Sequence, residues 1–184
     1  IGLAWMSGVI DDEASLAGMT DVYDAAIEAS LQWAIQHRIN DMQLEQAPAA
    51  IAIIGMGRYG GREVNFSSDA DVIIIYRPAK GADDAQANLF ARKVQEDLRA
   101  ILQGPTTFEP KIELDMDLRP EGKNGPLVRS YASCEEYYRS WASTWEHQAL
   151  LRARYAAGDT ALAEDFLMNI ADPLRYPKID LTET

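Results

Sequence analysis

Two aspartates, Asp69 and Asp71, stand at the head of an apolar run and have the residue type and spacing that metal-dependent phosphoryl chemistry needs. Because alternate residues of a strand point to one face, we expect both carboxylates on the same side of a sheet, with Cα atoms roughly 6.5 Å apart. Carboxylates so placed can share two Mg²⁺ ions about 3.5–4 Å apart, an arrangement used for in-line nucleotidyl transfer. An isolated Asp-x-Asp pair also occurs in many turns, so the neighbouring stretches decide its meaning.

A third carboxylate comes from a second acidic stretch, KIELDMDL. Its strict alternation of apolar and acidic residues predicts a half-buried strand from Lys111 to Leu118. If this strand pairs with the one that begins near Asp69, the strand spacing of about 4.8 Å places Asp115 beside the first two carboxylates. Clustered carboxylates repel each other unless cations lie nearby. Since Mg²⁺ prefers oxygen ligands, the three aspartates together predict a Mg²⁺ site.

A glycine-rich turn, GMGRYGG at residues 55–61, precedes the aspartates. Its Gly-x-Gly-x-x-Gly pattern is that of dinucleotide-binding proteins, but such a site needs a long helix directly after the glycines. Only seven residues separate the turn from Asp69, and Asn65, Ser67 and Ser68 among them are poor residues for a helix interior. The sequence therefore disfavours NAD binding and predicts a turn whose backbone N–H groups can approach phosphates.

Composition narrows the class of protein. The 184 residues, 47% of them hydrophobic, suit one domain with a substantial core. A net charge of −12 argues against nucleic-acid binding, which uses clusters of Lys and Arg, and no apolar run is long enough to span a membrane. The single cysteine, Cys134, excludes a disulfide framework and indicates a reducing compartment such as the cytoplasm. Because the chain begins with Ile1, we expect it to be part of a longer protein.

The elements that position these groups follow from periodicity and from capping residues. Apolar runs predict strands at 49–54, 72–76 and 127–131. One helix is expected to begin at an N-cap, Thr20, and another at Asp83 and Asp84. Their predicted buried faces consist of Tyr23, Ile27, Leu31, Ala34 and Ile35 in the first helix and of Phe90, Val94, Leu98, Ile101 and Leu102 in the second.

The C-terminal third is predicted to be helical. Ser133 with Glu136 fits a capping box that opens one helix, residues 144–155 continue helically, and a last helix runs from Thr160 to about Ala171. Two tryptophans, Trp141 and Trp145, are predicted to lie in the core.

Three charged side chains of this region, Glu146, Arg152 and Arg154, have two open interpretations. In the first interpretation, one arginine contacts phosphate or a protein substrate. In the second, the arginines form salt bridges that support helix packing.

Three blocks in order resemble the glutamine synthetase adenylyltransferase family: GMGRYGGREVNFSSDADVIIIY, LDMDLRPEGKNGPLV and STWEHQALLRARYAAGD. The likeness covers about residues 51–159. It implies an α+β nucleotidyltransferase fold of the DNA polymerase β-like kind, with a mixed sheet flanked by helices and a helical C-terminal segment. We expect an N-terminal helical segment at 1–48, a catalytic core at 49–131 and the C-terminal segment at 132–184.

The resemblance also implies Mg²⁺ and ATP as cofactors and assigns roles to matched positions. Asp115 matches the family's third carboxylate and is the candidate general base or metal ligand. Asp117 stands where the family motif often has Arg, so it is either an extra metal ligand or, as we favour, a partner for an arginine. The catalytic and metal-binding set is Asp69, Asp71 and Asp115, and the nucleotide-binding set is Gly60, Gly61, Ser68 and Arg119.

The reaction implied is transfer of AMP from ATP to a tyrosine hydroxyl of glutamine synthetase in the cytoplasm. The expected partners are glutamine synthetase and, for the full-length enzyme, a PII-type signal protein, with no nucleic acid and no membrane. The family also has a paralogous domain that removes AMP by phosphorolysis to give ADP, and this activity is an alternative. A non-catalytic regulatory module is a further alternative, which the intact aspartates disfavour.

Overall fold

A mixed five-stranded sheet forms the centre of the computed structural model, which describes residues 1–104 and 111–175. Its strands are β1 (Ala49–Gly55), β2 (Ala70–Pro78), β3 (Leu114–Asp115), β4 (Val128–Ser130) and β5 (Arg154–Gly158). The neighbouring strands β1 and β2 are antiparallel, and β5 pairs antiparallel with the other edge of β1. Both β3 and β4 run parallel to β2. The predicted strands at 49–54, 72–76 and 127–131 are confirmed to within two residues at each end.

Helices cover both faces of this sheet. The helices are α1 (Gly2–Met6), α2 (Asp12–Asp41), α3 (Gly57–Gly60), α4 (Asp84–Gln103), α5 (Tyr131–Ser140), α6 (Thr144–Ala149), α7 (Thr160–Phe166) and α8 (Asp172–Arg175). Along β1, Ile51 and Ile53 pack into one hydrophobic cluster with α2 and α4, whereas Ala52 and Ile54 pack into another with α5 and α7. Because both faces are buried, the central strands are continuous apolar runs. The α+β class with a mixed sheet flanked by helices is confirmed.

The first long helix begins earlier than predicted. Its N-cap is Asp11, whose carboxylate accepts a hydrogen bond from the Ala14 amide at 2.8 Å, so the predicted N-cap at Thr20 is wrong. Thr20 is buried inside α2, where its hydroxyl donates to the Leu16 carbonyl at 2.9 Å. The predicted apolar stripe is nevertheless confirmed, with Ile35 only partly buried and the other members, Tyr23, Ile27, Leu31 and Ala34, fully in the core.

The second long helix follows the prediction closely. Asp83 caps α4 by accepting a hydrogen bond from the Gln86 amide at 3.0 Å. Ile101 is 38% exposed, so its predicted burial is wrong; it lies beside the stripe rather than on it. The predicted members that are buried are Phe90, Val94, Leu98 and Leu102.

The C-terminal part departs most from the prediction. Residues 144–155 do not form one helix, because α6 ends at Ala149, a 3₁₀ turn spans Leu150–Arg152, and β5 then pairs with the edge of β1. The unpaired backbone groups of that edge override the helical pattern of the sequence. The segment 132–184 therefore contributes a strand as well as helices, and its last positions, 176–184, lie outside the described residues. The last helix starts at Thr160 as predicted and continues through a π-helical segment, Leu167–Ala171, into α8.

Helix caps and tryptophans in this part also correct the prediction. The N-cap of α5 is Ser130, which accepts a hydrogen bond from the Ser133 amide at 3.3 Å, so the predicted box of Ser133 with Glu136 is wrong. A capping box does occur one helix later, between Ser143 and Glu146. The tryptophans are not in the core: Trp141 is 75% exposed and Trp145 is 46% exposed. Within the described ranges, no helix is both long and apolar enough to cross a lipid bilayer.

Replacing Tyr138 with Phe is expected to raise the free energy of unfolding by about 1 kcal/mol. The ring of Tyr138 is buried edge-on against Phe166, and its hydroxyl is buried without a hydrogen-bond partner among the described residues. The variant keeps the ring contacts and removes an unsatisfied polar group. Urea unfolding at an unchanged m-value measures the difference. A loss of stability would show that the hydroxyl does have a partner.

Candidate functional site

Two of the three predicted carboxylates, Asp71 and Asp115, are neighbours where β2 begins and β3 lies parallel to it. Asp71 pairs in register with Asp115, and the Ala70 amide donates to the Glu113 carbonyl at 2.8 Å. Residues directly paired on parallel strands point to the same face, so the carboxylates of Asp71 and Asp115 are neighbours. Asp69 immediately precedes β2, and its side chain is exposed. The predicted adjacency of the second acidic stretch to the first is thereby confirmed.

The second acidic strand is shorter than predicted. Only Leu114 and Asp115 form β3, because the chain turns directly afterwards. The Asp115 carboxylate accepts a hydrogen bond from the Asp117 amide at 2.7 Å, an Asx-type turn that competes with strand pairing. Leu114 and Met116 are still buried, whereas Ile112 and Leu118 at the two ends of the predicted strand are only partly buried. The period of two in the sequence therefore reflects burial at the centre of the stretch rather than strand length.

Electrostatic repulsion is concentrated at Asp71. Burial is the main cause that raises the pKa of its carboxyl above the ordinary value, and the charges of Asp115 and Asp69 raise it further. A backbone hydrogen bond from Arg58 and the charge of the Arg58 side chain partly oppose this rise. Across residues 1–104 and 111–175, none of the three aspartates is within ion-pair distance of a Lys, Arg or His side chain. The site therefore carries negative charge that no described ion pair neutralises and that the charge of Arg58 offsets only in part.

The donor chemistry fits a hard divalent cation. Asp71 and Asp115 are half-buried and offer carboxylate oxygens only, the ligand type that Mg²⁺ prefers. In the described part of the chain, no three His, Cys, Asp or Glu side chains are gathered tightly enough to hold a metal ion. The structure therefore pairs Asp71 with Asp115, and a metal site shared by all three aspartates stays a prediction.

The glycine turn lies directly over Asp71. The Met56 amide donates to the Asp71 carbonyl at 2.8 Å, which brings the start of α3 against the start of β2. Gly57 has a φ of +50°, and a Cβ atom at this position would overlap the Asp71 carboxylate. Gly57 is thus required beside the site, although it is not among the residues predicted to bind nucleotide. Its place as the second glycine of the Gly-x-Gly pattern is the signal that could have identified it.

The two glycines predicted to face phosphates have different surroundings. A Cβ atom at Gly60 would overlap the Arg152 carbonyl oxygen and lie 2.6 Å from the Gly55 carbonyl oxygen, so this position is filled by protein backbone. At Gly61 the nearest atom would be Arg152 Nη1 at 3.1 Å, the end of a flexible side chain. Close backbone packing therefore accounts for Gly60, and phosphate binding by either glycine stays a prediction.

Ser68 is buried just before the carboxylate pair and is held by local and long-range hydrogen bonds. Its hydroxyl donates to the Asn65 side chain at 3.0 Å, and its carbonyl accepts from the Tyr23 hydroxyl at 3.0 Å. These bonds fix the position of the backbone directly before Asp69. A direct contact between Ser68 and nucleotide stays a prediction.

Arg119 stabilises the loop that follows β3. Its guanidinium is buried and donates to the carbonyls of Gly125 at 2.9 Å, Met116 at 2.8 Å and Lys123 at 2.9 Å. These bonds favour a role in loop structure, and the predicted phosphate contact stays untested. Asp117 lies 3.1 Å from Lys123 Nζ and 3.6 Å from Arg119 Nη1, in agreement with the favoured interpretation that it is a partner for cationic side chains.

The charged residues of the third block take structural positions. Buried Glu146 accepts hydrogen bonds from the Ser143 amide, the Tyr137 hydroxyl and the Glu121 amide at 2.8 to 3.0 Å. Arg152 pairs with Glu63 at 2.6 Å on the surface.

Cys134 is fully buried, and burial raises the pKa of its thiol to about 12, which accords with an inert cysteine.

Arg154 pairs with Asp24 of α2, so both arginines of the third block form salt bridges. Of the two interpretations left open, the packing one therefore agrees with the structure.

Comparison with known proteins places these features in a family. Residues 1–169 match the family model described as glutamate-ammonia ligase adenylyltransferase. A relative from Bifidobacterium longum (strain DJO10A) is 77% identical over 183 residues, which cover 100% of this chain and 17% of the relative. A relative from Mycobacterium tuberculosis (strain CDC 1551 / Oshkosh) is 45% identical over 177 residues, 96% of this chain and 17% of the relative.

Both relatives are named bifunctional glutamine synthetase adenylyltransferase/adenylyl-removing enzyme, so they are nucleotidyltransferases. The chain spans about a sixth of their length, 17% in each case. The family model covers most of the chain, including the glycine turn, all three aspartates and β5. The chain therefore belongs to the glutamate-ammonia ligase adenylyltransferase family.

Proposed function

We propose that this chain forms a nucleotidyl-transfer site that attaches AMP from ATP to a tyrosine hydroxyl of glutamine synthetase. The observation that carries the proposal is the parallel register of β2 and β3, which sets Asp71 beside Asp115 under the glycine turn. A nucleotidyltransferase fold of the DNA polymerase β-like kind accords with this arrangement. In this proposal the 1–48 segment supports the sheet and the 49–131 segment holds the catalytic groups. The 132–184 segment, through its part up to residue 175, completes the sheet with β5 and packs its second face.

Asp69, Asp71 and Asp115 would hold Mg²⁺, which when bound neutralises charge on the phosphates and on the attacking oxygen. The tyrosine oxygen forms a bond to the α-phosphorus of ATP. The bond between the α-phosphorus and the oxygen that bridges it to the β-phosphate breaks, and pyrophosphate leaves. Asp115 would take the phenolic proton as general base; alternatively it would serve as a ligand for the cation, whose charge would lower the tyrosine pKa from its free value of about 10. Asp115 suits either role because its carboxylate is oriented by the Asp117 amide.

The opposite direction is the second candidate. The names of the relatives include adenylyl removal, and a domain of that kind would transfer AMP from the tyrosine to phosphate and yield ADP. We favour adenylylation because the glycine block and the TWEHQALLRAR block are more similar to the family's adenylylating domain. In the full-length enzyme we propose a cytoplasmic location and control by a PII-type signal protein.

Direction can be measured with radiolabelled nucleotide. The chain, incubated with Mg²⁺ and ATP labelled at the α-phosphate, is expected to label unmodified glutamine synthetase. A control with γ-labelled ATP should leave the protein unlabelled, because pyrophosphate carries the γ-phosphate away. If the chain instead releases label from adenylylated glutamine synthetase, and only when phosphate is present, the removing activity is the correct assignment.

A further inference from the structure

Arg154 lies on β5 and connects this strand to α2 and to α3, the short helix within the glycine turn. From β5 its guanidinium forms two hydrogen bonds to the Asp24 carboxylate of α2, at 3.0 and 2.8 Å. The same guanidinium donates from Nε and Nη2 to the Tyr59 carbonyl of α3, at 3.3 and 3.1 Å, and lies 4.8 Å from the centre of the Tyr59 ring. The side chain is only 21% exposed, so these bonds are largely shielded from water.

The turn held in this way has little freedom to move. On one side Gly57 is against the Asp71 carboxylate, and on the other Gly60 is against the Arg152 backbone. Tyr59, between these glycines, is fully buried. A shift of the Tyr59 carbonyl therefore shifts the backbone that covers Asp71, because close-packed groups transmit displacement.

We propose that Arg154 is a positioning residue that, through the Tyr59 carbonyl, fixes the Gly57–Gly60 turn over Asp71 for metal and nucleotide binding. This inference rests on the proposed function. An arginine is required because its planar fork can bind a carboxylate, a carbonyl and an aromatic face together, whereas the ammonium of lysine is a single point charge. Arg154 itself touches none of the three site aspartates among the described contacts.

The test compares Arg154→Lys with a matched control, Arg77→Lys. Arg77 also pairs with an aspartate, Asp165 at 2.8 Å, and also lies over a tyrosine ring, Tyr131 at 4.4 Å. It is near the opposite end of β2 from Asp71, so the same substitution there leaves the site untouched. Three quantities are measured on each variant of the chain: the thermal unfolding midpoint, the affinity for ATP with and without Mg²⁺, and amide hydrogen exchange.

In Arg154→Lys, we expect Mg²⁺-dependent ATP affinity to fall between about tenfold and a hundredfold, while the Mg²⁺-independent affinity is unchanged. Amides of the turn, Gly60 bonded to the Met56 carbonyl and Gly61 bonded to the Gly57 carbonyl at 3.0 Å, should exchange several-fold faster. Arg77→Lys should show neither effect at a comparable unfolding midpoint. If the two variants behave alike in both measurements, Arg154 has no positioning role.

The exchange measurement separates this inference from the proposed function. If wild type shows no Mg²⁺-dependent ATP binding, the proposed function fails, whatever the turn amides do. If wild type binds ATP with Mg²⁺ and Arg154→Lys retains full affinity despite faster exchange in the turn, only the positioning inference fails.

A second variant, Asp24→Asn, keeps the test decisive if Arg154→Lys folds poorly. It leaves the guanidinium in place and weakens its support from α2. We expect a smaller loss of Mg²⁺-dependent affinity than in Arg154→Lys, and an effect in the double variant well below the product of the two single effects. Independent, multiplicative effects would show that the two residues do not act through the same turn.

Discussion

Asp71→Asn is expected to lower Mg²⁺-dependent AMP transfer by about a thousandfold or more while the chain stays folded. The substitution keeps the shape of the side chain and removes the charge that lies beside Asp115 and under the glycine turn. An amide is a poor ligand for Mg²⁺ compared with a carboxylate. Single-turnover transfer of labelled AMP to glutamine synthetase measures the loss.

Stability should change in the opposite direction from activity. Because the folded-state pKa of Asp71 is raised, the carboxyl favours folding while it is protonated. That contribution is fully present below the unfolded-state pKa and is lost as pH rises through the folded-state pKa. At neutral pH without metal, Asp71→Asn should therefore be at least as stable as wild type. Added Mg²⁺ should raise the unfolding midpoint of wild type and leave that of the variant unchanged.

Asp117→Asn is the matched control for this prediction. Asp117 lies two residues from Asp115 but pairs with Lys123 at 3.1 Å. It is expected to retain stabilisation by Mg²⁺ and most of the transfer activity. Loss of both in Asp117→Asn would identify Asp117 as a metal ligand, and full activity in Asp71→Asn would exclude the proposed site.

Local signals in the sequence were sufficient to predict the central strands of the fold and the neighbouring positions of Asp71 and Asp115. The apolar runs of β1 and β2 are unbroken because helices bury both faces of the sheet, and such runs are readable without tertiary information. Asp83 at the start of α4 and the apolar stripe of α2 are likewise local patterns. The neighbouring positions of Asp71 and Asp115 followed from pairing the strand that begins near Asp69 with the acidic stretch KIELDMDL.

Features that depend on distant contacts could not be predicted in this way. Residues 144–155 have a helical pattern, yet the chain from Arg154 to Gly158 forms β5 because the edge of β1 offers backbone partners. The guanidinium of Arg119 has the chemistry of a phosphate ligand, but it donates its hydrogen bonds to carbonyls of its own loop. The need for Gly57 arises only once the Asp71 carboxylate lies against it. The sequence therefore contained the candidate site groups, while the contacts that support them were set by tertiary packing.

Gly60→Ala is expected to destabilise the chain by more than about 3 kcal/mol, the largest effect on stability among our predictions. The added methyl group would overlap the Arg152 carbonyl oxygen and lie 2.6 Å from the Gly55 carbonyl oxygen, and both are backbone atoms that cannot rotate away. Relief requires β5 to move from β1, since Gly55 pairs with Arg154. Chemical denaturation followed by circular dichroism measures the change.

The adjacent substitution, Gly61→Ala, is the control that separates backbone packing from a general need for glycine. Gly61 has an ordinary φ of −76°, and its nearest contact would be Arg152 Nη1 at 3.1 Å, which can move with its exposed side chain. We expect its stability to lie within about 1 kcal/mol of wild type. Equal losses in the two variants would mean that the turn does not pack on Arg152 as described. A stable Gly61→Ala protein would also allow the predicted approach of phosphates to this glycine to be measured through ATP affinity alone, free of any effect on folding.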